Sequence, residues 1–164
     1  GGARVVWLAG LNPDWSFHPD NRGEAAFREL VPRVAELVAE AEKFGVIVGI
    51  EGVTSHLLNS PQRIRQLLDE VRSNNLFVQY DIYHMQIMEG DLARTMQEYL
   101  PQIAHIQLAD NPGRHEPGTG EINYPFLFRH LDAIGYRGWI GCEYKPLTTT
   151  LEGLSWHAAQ TFET

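Results

Sequence analysis

Residues 77–109, FVQYDIYHMQIMEGDLARTMQEYLPQIAHIQLA, hold two short apolar runs, Phe77 to Ile82 and Ile103 to Ala109, on either side of a helix-patterned segment. In that segment Asp91 stands as a cap before Leu92, Met96 and Tyr99, and Pro101 ends the pattern, so the stretch reads as strand, helix, strand. Residues on one face of a strand recur every second position. Gln79 with Asp81, and His105 with Gln107, therefore share a face, while Val78, Tyr80, Ile82, Ile106 and Leu108 take the other. The unit thus offers an apolar face to covering helices and a polar face to something else.

The same unit recurs on both sides. Val5 to Ala9 reads as a first strand, followed by a Pro, Asn and Asp-rich loop from Asn12 to Arg22. A helix from Glu24 carries Phe27, Leu30, Val31, Val34, Leu37, Val38 and Ala41 at the helical period and ends at Gly45; Pro32 implies a kink or a late start. Val46 to Glu51 is a second strand, and Ser60-Pro61 is a cap-plus-first-turn signal for a helix with Ile64, Leu67, Leu68 and Val71. After the fourth strand come a Phe126 to Ile134 helix, a Trp139 to Tyr144 strand and a Leu151 to Phe162 helix. Gly49 with Glu51, and Gly141 with Glu143, extend the small or polar face, and Ile140 and Cys142 the apolar one. Cys142 is thereby expected to pack.

Alternating strands and helices build parallel sheets whose strand carboxyl ends share one rim, where ligands bind. Glu51, Asp81, Gln107 and Glu143 close successive strands at intervals of 30, 26 and 36 residues. An apolar exterior around a polar interior is what a barrel shows, whereas an open doubly wound sheet is apolar on both faces. Three carboxylates within about 5 Å would repel by roughly 3 kcal/mol per pair at an effective dielectric near 20, so a neutralising group is expected. The all-oxygen set suits Mg²⁺ or Mn²⁺ rather than structural zinc.

Composition fits a soluble globular chain of 164 residues with one core. A net charge of −8 and the lack of a basic stripe argue against a nucleic-acid partner. No run approaches a membrane span, and one cysteine excludes a disulfide framework, so a cytoplasmic protein is expected. His105 reads as a hydrogen-bonded histidine inside the barrel. His18, His56, His115, His130 and His157 read as surface or packing residues, and Tyr124, Phe126 and Phe128 as core and lid. Trp7 and Trp15 could line a mouth or pack. The Glu116–Glu121 loop reads as shaping the mouth, since Gly-Thr-Gly alone is a weak phosphate signal.

The motifs NNLFVQYDIYHMQIMEGDLA, HIQLADNPGRHEPGTGEINYPFLF and GYRGWIGCEYKP, over residues 75–156, closely resemble the hydroxypyruvate isomerase family of xylose-isomerase-like (β/α)₈ barrels. PDWSFHPDNRGEAAF and VAEAEKFGVIVGIEGVTSHLLNSPQR look more like other sugar isomerases and epimerases of that superfamily. Glu51-Gly52-Val53-Thr54 departs from the Glu-Pro-(Ile/Leu)-Asn usual in hydroxypyruvate isomerases, with a shorter loop before Leu57. The resemblance implies a divalent metal on Glu51, Asp81, Gln107 and Glu143, with Glu51 and Glu143 also moving the proton. It further implies substrate contacts from His84 and Arg114; Lys145 is a possible point charge for a substrate carboxylate, although a lone lysine there is more often a solvated rim residue.

The activity implied is interconversion of hydroxypyruvate and tartronate semialdehyde through an enediolate, on a small hydroxy-oxo acid or sugar; a ketose epimerase is the alternative. The fold implied is a partial (β/α)₈ TIM barrel, five β/α units resembling strands 4 to 8, in one domain over residues 1–164. A truncated enzyme, a rearranged barrel, and a catalytically silent half-barrel completed by another copy as a homo-oligomer all stay open.

Overall fold

In the computed structural model, residues 23–53 and 57–158 are described in full and residues 5–8 by their backbone. The readings on Asn12 to Arg22, Trp7, Trp15, His18 and His56 lie outside the described side chains. Five strands, β1 (Val5–Leu8), β2 (Ile47–Glu51), β3 (Leu76–Asp81), β4 (Ile103–Leu108) and β5 (Ile140–Cys142), form one sheet in the order β1-β2-β3-β4-β5. Every pairing is parallel. Helices α1 (Glu24–Glu42), α2 (Pro61–Val71), α3 (Ile82–Met88), α4 (Leu92–Tyr99) and α5 (Tyr124–Ala133) alternate with the strands.

The face assignment read from the strand period holds for β2, β3 and β4. Val48, Ile50, Val78, Tyr80, Ile106 and Leu108 are buried in one core with Phe27, Val34 and Val38 of α1 and Ile64 and Leu67 of α2. Helix starts follow their local chemistry: Ser60 Oγ accepts the Arg63 N–H at 3.2 Å with Pro61 at the first helical position, and Asn123 caps α5 by accepting from Phe126 N–H. The helix reading from Glu24 is right without a late start, since α1 runs through Pro32, whose missing N–H costs one helical hydrogen bond.

Four details differ from the sequence reading. Ile82 does not end β3; it opens α3, which the strand pattern concealed because no Gly or Pro separates the two elements. Asp91 sits at the α4 N-terminus in a left-handed conformation, φ 43°, and gives its carboxylate to Arg94 Nε at 2.8 Å instead of capping the helix. Phe126 is exposed and stacks on His130, whereas Tyr124 and Phe128 are buried. Cys142 is exposed, on a strand that among the described residues ends the sheet order. Of the last helix, two short turns, α6 (Thr150–Gly153) and α7 (Ser155–Ala158), are described.

Candidate active site at the strand carboxyl ends

The strand register draws the rim together. Glu51 lies beside Gln79, Asp81 beside Gln107, and Gln107 beside Gly141. Glu143 follows β5 directly and is tied to β4 by its N–H, which donates to the Leu108 carbonyl at 3.0 Å. Asp81 does two jobs at once. It is the last residue of β3 and the N-cap of α3, where Oδ1 accepts the N–H groups of Tyr83 at 2.8 Å and His84 at 3.3 Å. That geometry leaves Oδ2 for the site and puts His84 on the first turn of α3, also buried.

Arg114 fills the centre. It arrives on the loop after β4, and its Nη2 lies 2.7 Å from Glu143 Oε2 and 3.3 Å from Asp81 Oδ2. Nη1 is 3.3 Å from His84 Nε2, and Nε donates to the Glu143 carbonyl at 3.4 Å. A guanidinium can only donate, so in this contact His84 Nε2 is the acceptor and its lone pair points at Arg114. The Tyr83 ring lies under the guanidinium, 5.1 Å from Cζ. The neutralising group demanded by the crowded carboxylates is thus, in part, this arginine.

Burial, followed by the charge of Glu143, raises the Glu51 pKa, and Arg114 opposes the rise. Burial likewise dominates at Asp81, pushing its carboxyl up to about 7, with Arg114 pulling it down and Glu51 and Glu143 adding to the rise. Perturbed carboxyls that converge in this way make the rim a candidate functional site.

Glu51, Asp81 and His84 each offer a ligand atom within 4.8 Å of the other two. Two carboxylate oxygens and an imidazole nitrogen fit a divalent cation. Of the four residues expected as ligands, Glu51 and Asp81 stand in that cluster, and Glu143 is joined to it through Arg114. Gln107 faces the same interior with its Oε1 accepting from Gln79 Nε2. His84, expected as a substrate contact, is at the cluster itself.

Lys145 is exposed and engages through its main chain: its N–H donates to the Arg114 carbonyl at 2.8 Å, and its carbonyl lies 2.6 Å from His115 Nδ1. His115, read as a surface or packing residue, is therefore a stitch between the two loops. His105 is half-buried below Gln107, close enough to Gly141 that a Cβ there would lie 2.8 Å from its Nε2. Sequence reasoning did not single out Gln79 or Asp110; the paired amides and the Asp-Asn-Pro-Gly run after β4 were the available signals.

Residues 1–160 match the model of the xylose isomerase-like TIM barrel family. The chain belongs to that family. Within it, the chain is 55% identical over 101 residues to the hydroxypyruvate isomerase of Escherichia coli K12, covering 62% of this chain and 39% of that one. It is 40% identical over 161 residues to the 2-oxo-tetronate isomerase of Cupriavidus necator, covering 95% and 60%. A crystal structure of a family 2 AP endonuclease from Brucella melitensis superposes with a TM-score of 0.82 at 33% identity, over 95% of this chain and 60% of that one. The chain thus spans from about two fifths to three fifths of the length of these relatives. Both of these curated relatives are named isomerases. No described helix is long and apolar enough to cross a membrane.

Proposed function

We propose that this chain carries units four to eight of the barrel and catalyses interconversion of hydroxypyruvate and tartronate semialdehyde. The observation that carries the reading is the meeting of Glu51, Asp81, His84, Arg114 and Glu143 at one rim, in a chain 55% identical over 101 residues to a hydroxypyruvate isomerase. Mg²⁺ or Mn²⁺, held by Glu51, Asp81, Gln107 and Glu143 with His84 beside them, would supply charge stabilisation to the two substrate oxygens.

The proton work belongs to the two glutamates. One carboxylate removes a proton from C3 of hydroxypyruvate, which leaves an enediolate, and the other delivers a proton to C2 as the hydroxyl proton moves from O3 to O2. Glu51, half-buried with a raised pKa, is suited to hold a proton; Glu143 lies against the Arg114 guanidinium, its Oε2 2.7 Å from Nη2. Arg114 and His84 orient the substrate carboxylate and hydroxyl, and Lys145 adds positive charge at the rim.

The long match to a 2-oxo-tetronate isomerase favours a second substrate reading, a four-carbon 2-oxo acid processed by the same groups. Among the described residues, β1 and β5 each pair on one side only, so the chain is expected to meet a partner edge, such as another copy of itself. No nucleic acid is expected as a partner, since the chain carries a net charge of −8.

The test is turnover of hydroxypyruvate and of a 2-oxo-tetronate with Mg²⁺ or Mn²⁺, measured beside solution mass. Activity abolished by chelation is expected, and turnover that survives both chelation and Glu143→Gln would refute the reading.

A further inference from the structure

The proposed chemistry makes no use of one further buried carboxylate. Asp110, just past β4, is 0% exposed. Its Oδ1 accepts the main-chain N–H groups of Asn111 at 2.9 Å and Ile122 at 3.1 Å; its Oδ2 accepts those of Gly118 at 2.8 Å and Gly120 at 3.0 Å. Its main chain is engaged as well. The Asp110 N–H donates to the His115 carbonyl at 2.7 Å, and its carbonyl accepts the Arg114 N–H at 3.1 Å. One residue thus closes the turn over 110–115 with its backbone and gathers the far limb, 118–122, with its side chain.

Arg114 sits in that turn at φ 59°, a left-handed conformation that disfavours any residue with a Cβ unless its surroundings enforce it. From there its guanidinium reaches Asp81 and Glu143. An ionised carboxylate accepts at both oxygens and has no proton of its own to place, which matches four converging N–H donors. An amide at the same position would turn its own NH₂ against two of them. The limb also fits closely, since a Cβ on Gly120 would lie 2.7 Å from Asp110 Oδ1.

We propose that Asp110 is a positioning residue, which folds the 111–122 loop around its carboxylate and so holds the Arg114 guanidinium between Asp81 and Glu143. The consequence for turnover rests on the isomerase reading; the consequence for the placement of Arg114 does not. A knot that serves stability alone would leave Arg114 unchanged in protein that remains folded.

The experiment compares wild type and Asp110→Asn, with folding checked by circular dichroism. In the first arm, phenylglyoxal modification of each arginine is followed by mass spectrometry. Arg114 is expected to react about tenfold faster in the variant, given the cost of leaving buried donors unpaired, while Arg28 and Arg33 on the exposed face of α1 keep their rates. An unchanged Arg114 rate overturns the proposal.

In the second arm, hydroxypyruvate turnover with Mn²⁺ is measured for Asp110→Asn, Arg114→Ala and the double variant. The double variant is expected to match Arg114→Ala within about twofold, because both changes act through one guanidinium. Added guanidinium ion is expected to raise Arg114→Ala and the double variant to the same level. Losses that multiply, or rescue of the single variant alone, overturn the proposal. A wild type without turnover removes the isomerase reading and leaves the modification arm to decide. Should Asp110→Asn fail to fold, Gly120→Ala replaces it in both arms; if that fails too, Asp110 is a folding residue and the proposal falls.

Discussion

Strands β3 and β5 carry the two halves of the same site in opposite surroundings. On β3, Val78 and Tyr80 are sealed under helices, and Asp81 is only 2% exposed. On β5, the outer Cys142 is exposed, and Trp139 immediately before the strand is 85% exposed. The Glu143 side chain is itself 47% exposed. One half of the candidate site is therefore anchored by the core, and the other is held by loop hydrogen bonds and Arg114. The proposed isomerisation needs both, so the edge is where its geometry is most easily lost.

The largest effect that can test this contrast is on turnover. Glu51→Gln and Glu143→Gln are each expected to cut hydroxypyruvate isomerisation by about 10²–10⁴-fold, the range for loss of a general acid or base. Steady-state kinetics with saturating Mn²⁺ would check this, and a milder loss at Glu143 than at Glu51 would show that the edge half contributes less.

Next in size is stability. Ile106→Ala, in the sealed core, is expected to cost about 2–5 kcal/mol in denaturant unfolding. Trp139→Ala is expected to cost no more than about 0.5 kcal/mol, as for an exposed site. Equal costs at the two positions would mean that β5 is covered in solution and would break the contrast.

A pH effect distinguishes the halves further. The Asp81 carboxyl is pushed from an ordinary 3.8 up to about 7, mainly by burial. Below about pH 4 it is protonated whether the chain is folded or not. Between about pH 4 and 7 the unfolded chain releases a proton that the folded chain keeps, so stability is lost as pH rises through that window. Unfolding in the presence of a chelator at several pH values should show this fall, and Asp81→Asn should flatten it. The smallest expected effect is Ser60→Ala, about 1 kcal/mol from loss of the α2 cap, readable as a shift in the denaturation midpoint.

Much of this arrangement was legible in the residues. The period of two along each strand assigned the buried and polar faces correctly for β2 to β4, and the strand-end spacing brought Glu51, Asp81 and Glu143 to one rim. Helix α3 was hidden because Asp81 both ends a strand and starts a helix, so the apolar run continues unbroken from one into the other. Cys142 was misplaced for another reason: alternation tells which way a side chain points, but not whether a neighbour lies there. The central place of Arg114 depends on contacts across 33 residues to Asp81 and 29 to Glu143, which no local pattern encodes.

The double duty of Asp81 also limits how this site can be re-engineered. Because Oδ1 is spent on the start of α3 and Oδ2 on the rim, a change at Asp81 would alter a helix terminus and the chemistry in one stroke. A designer seeking a new substrate would leave that residue and Arg114 alone and rebuild the 118–122 limb, whose main-chain N–H groups converge on Asp110.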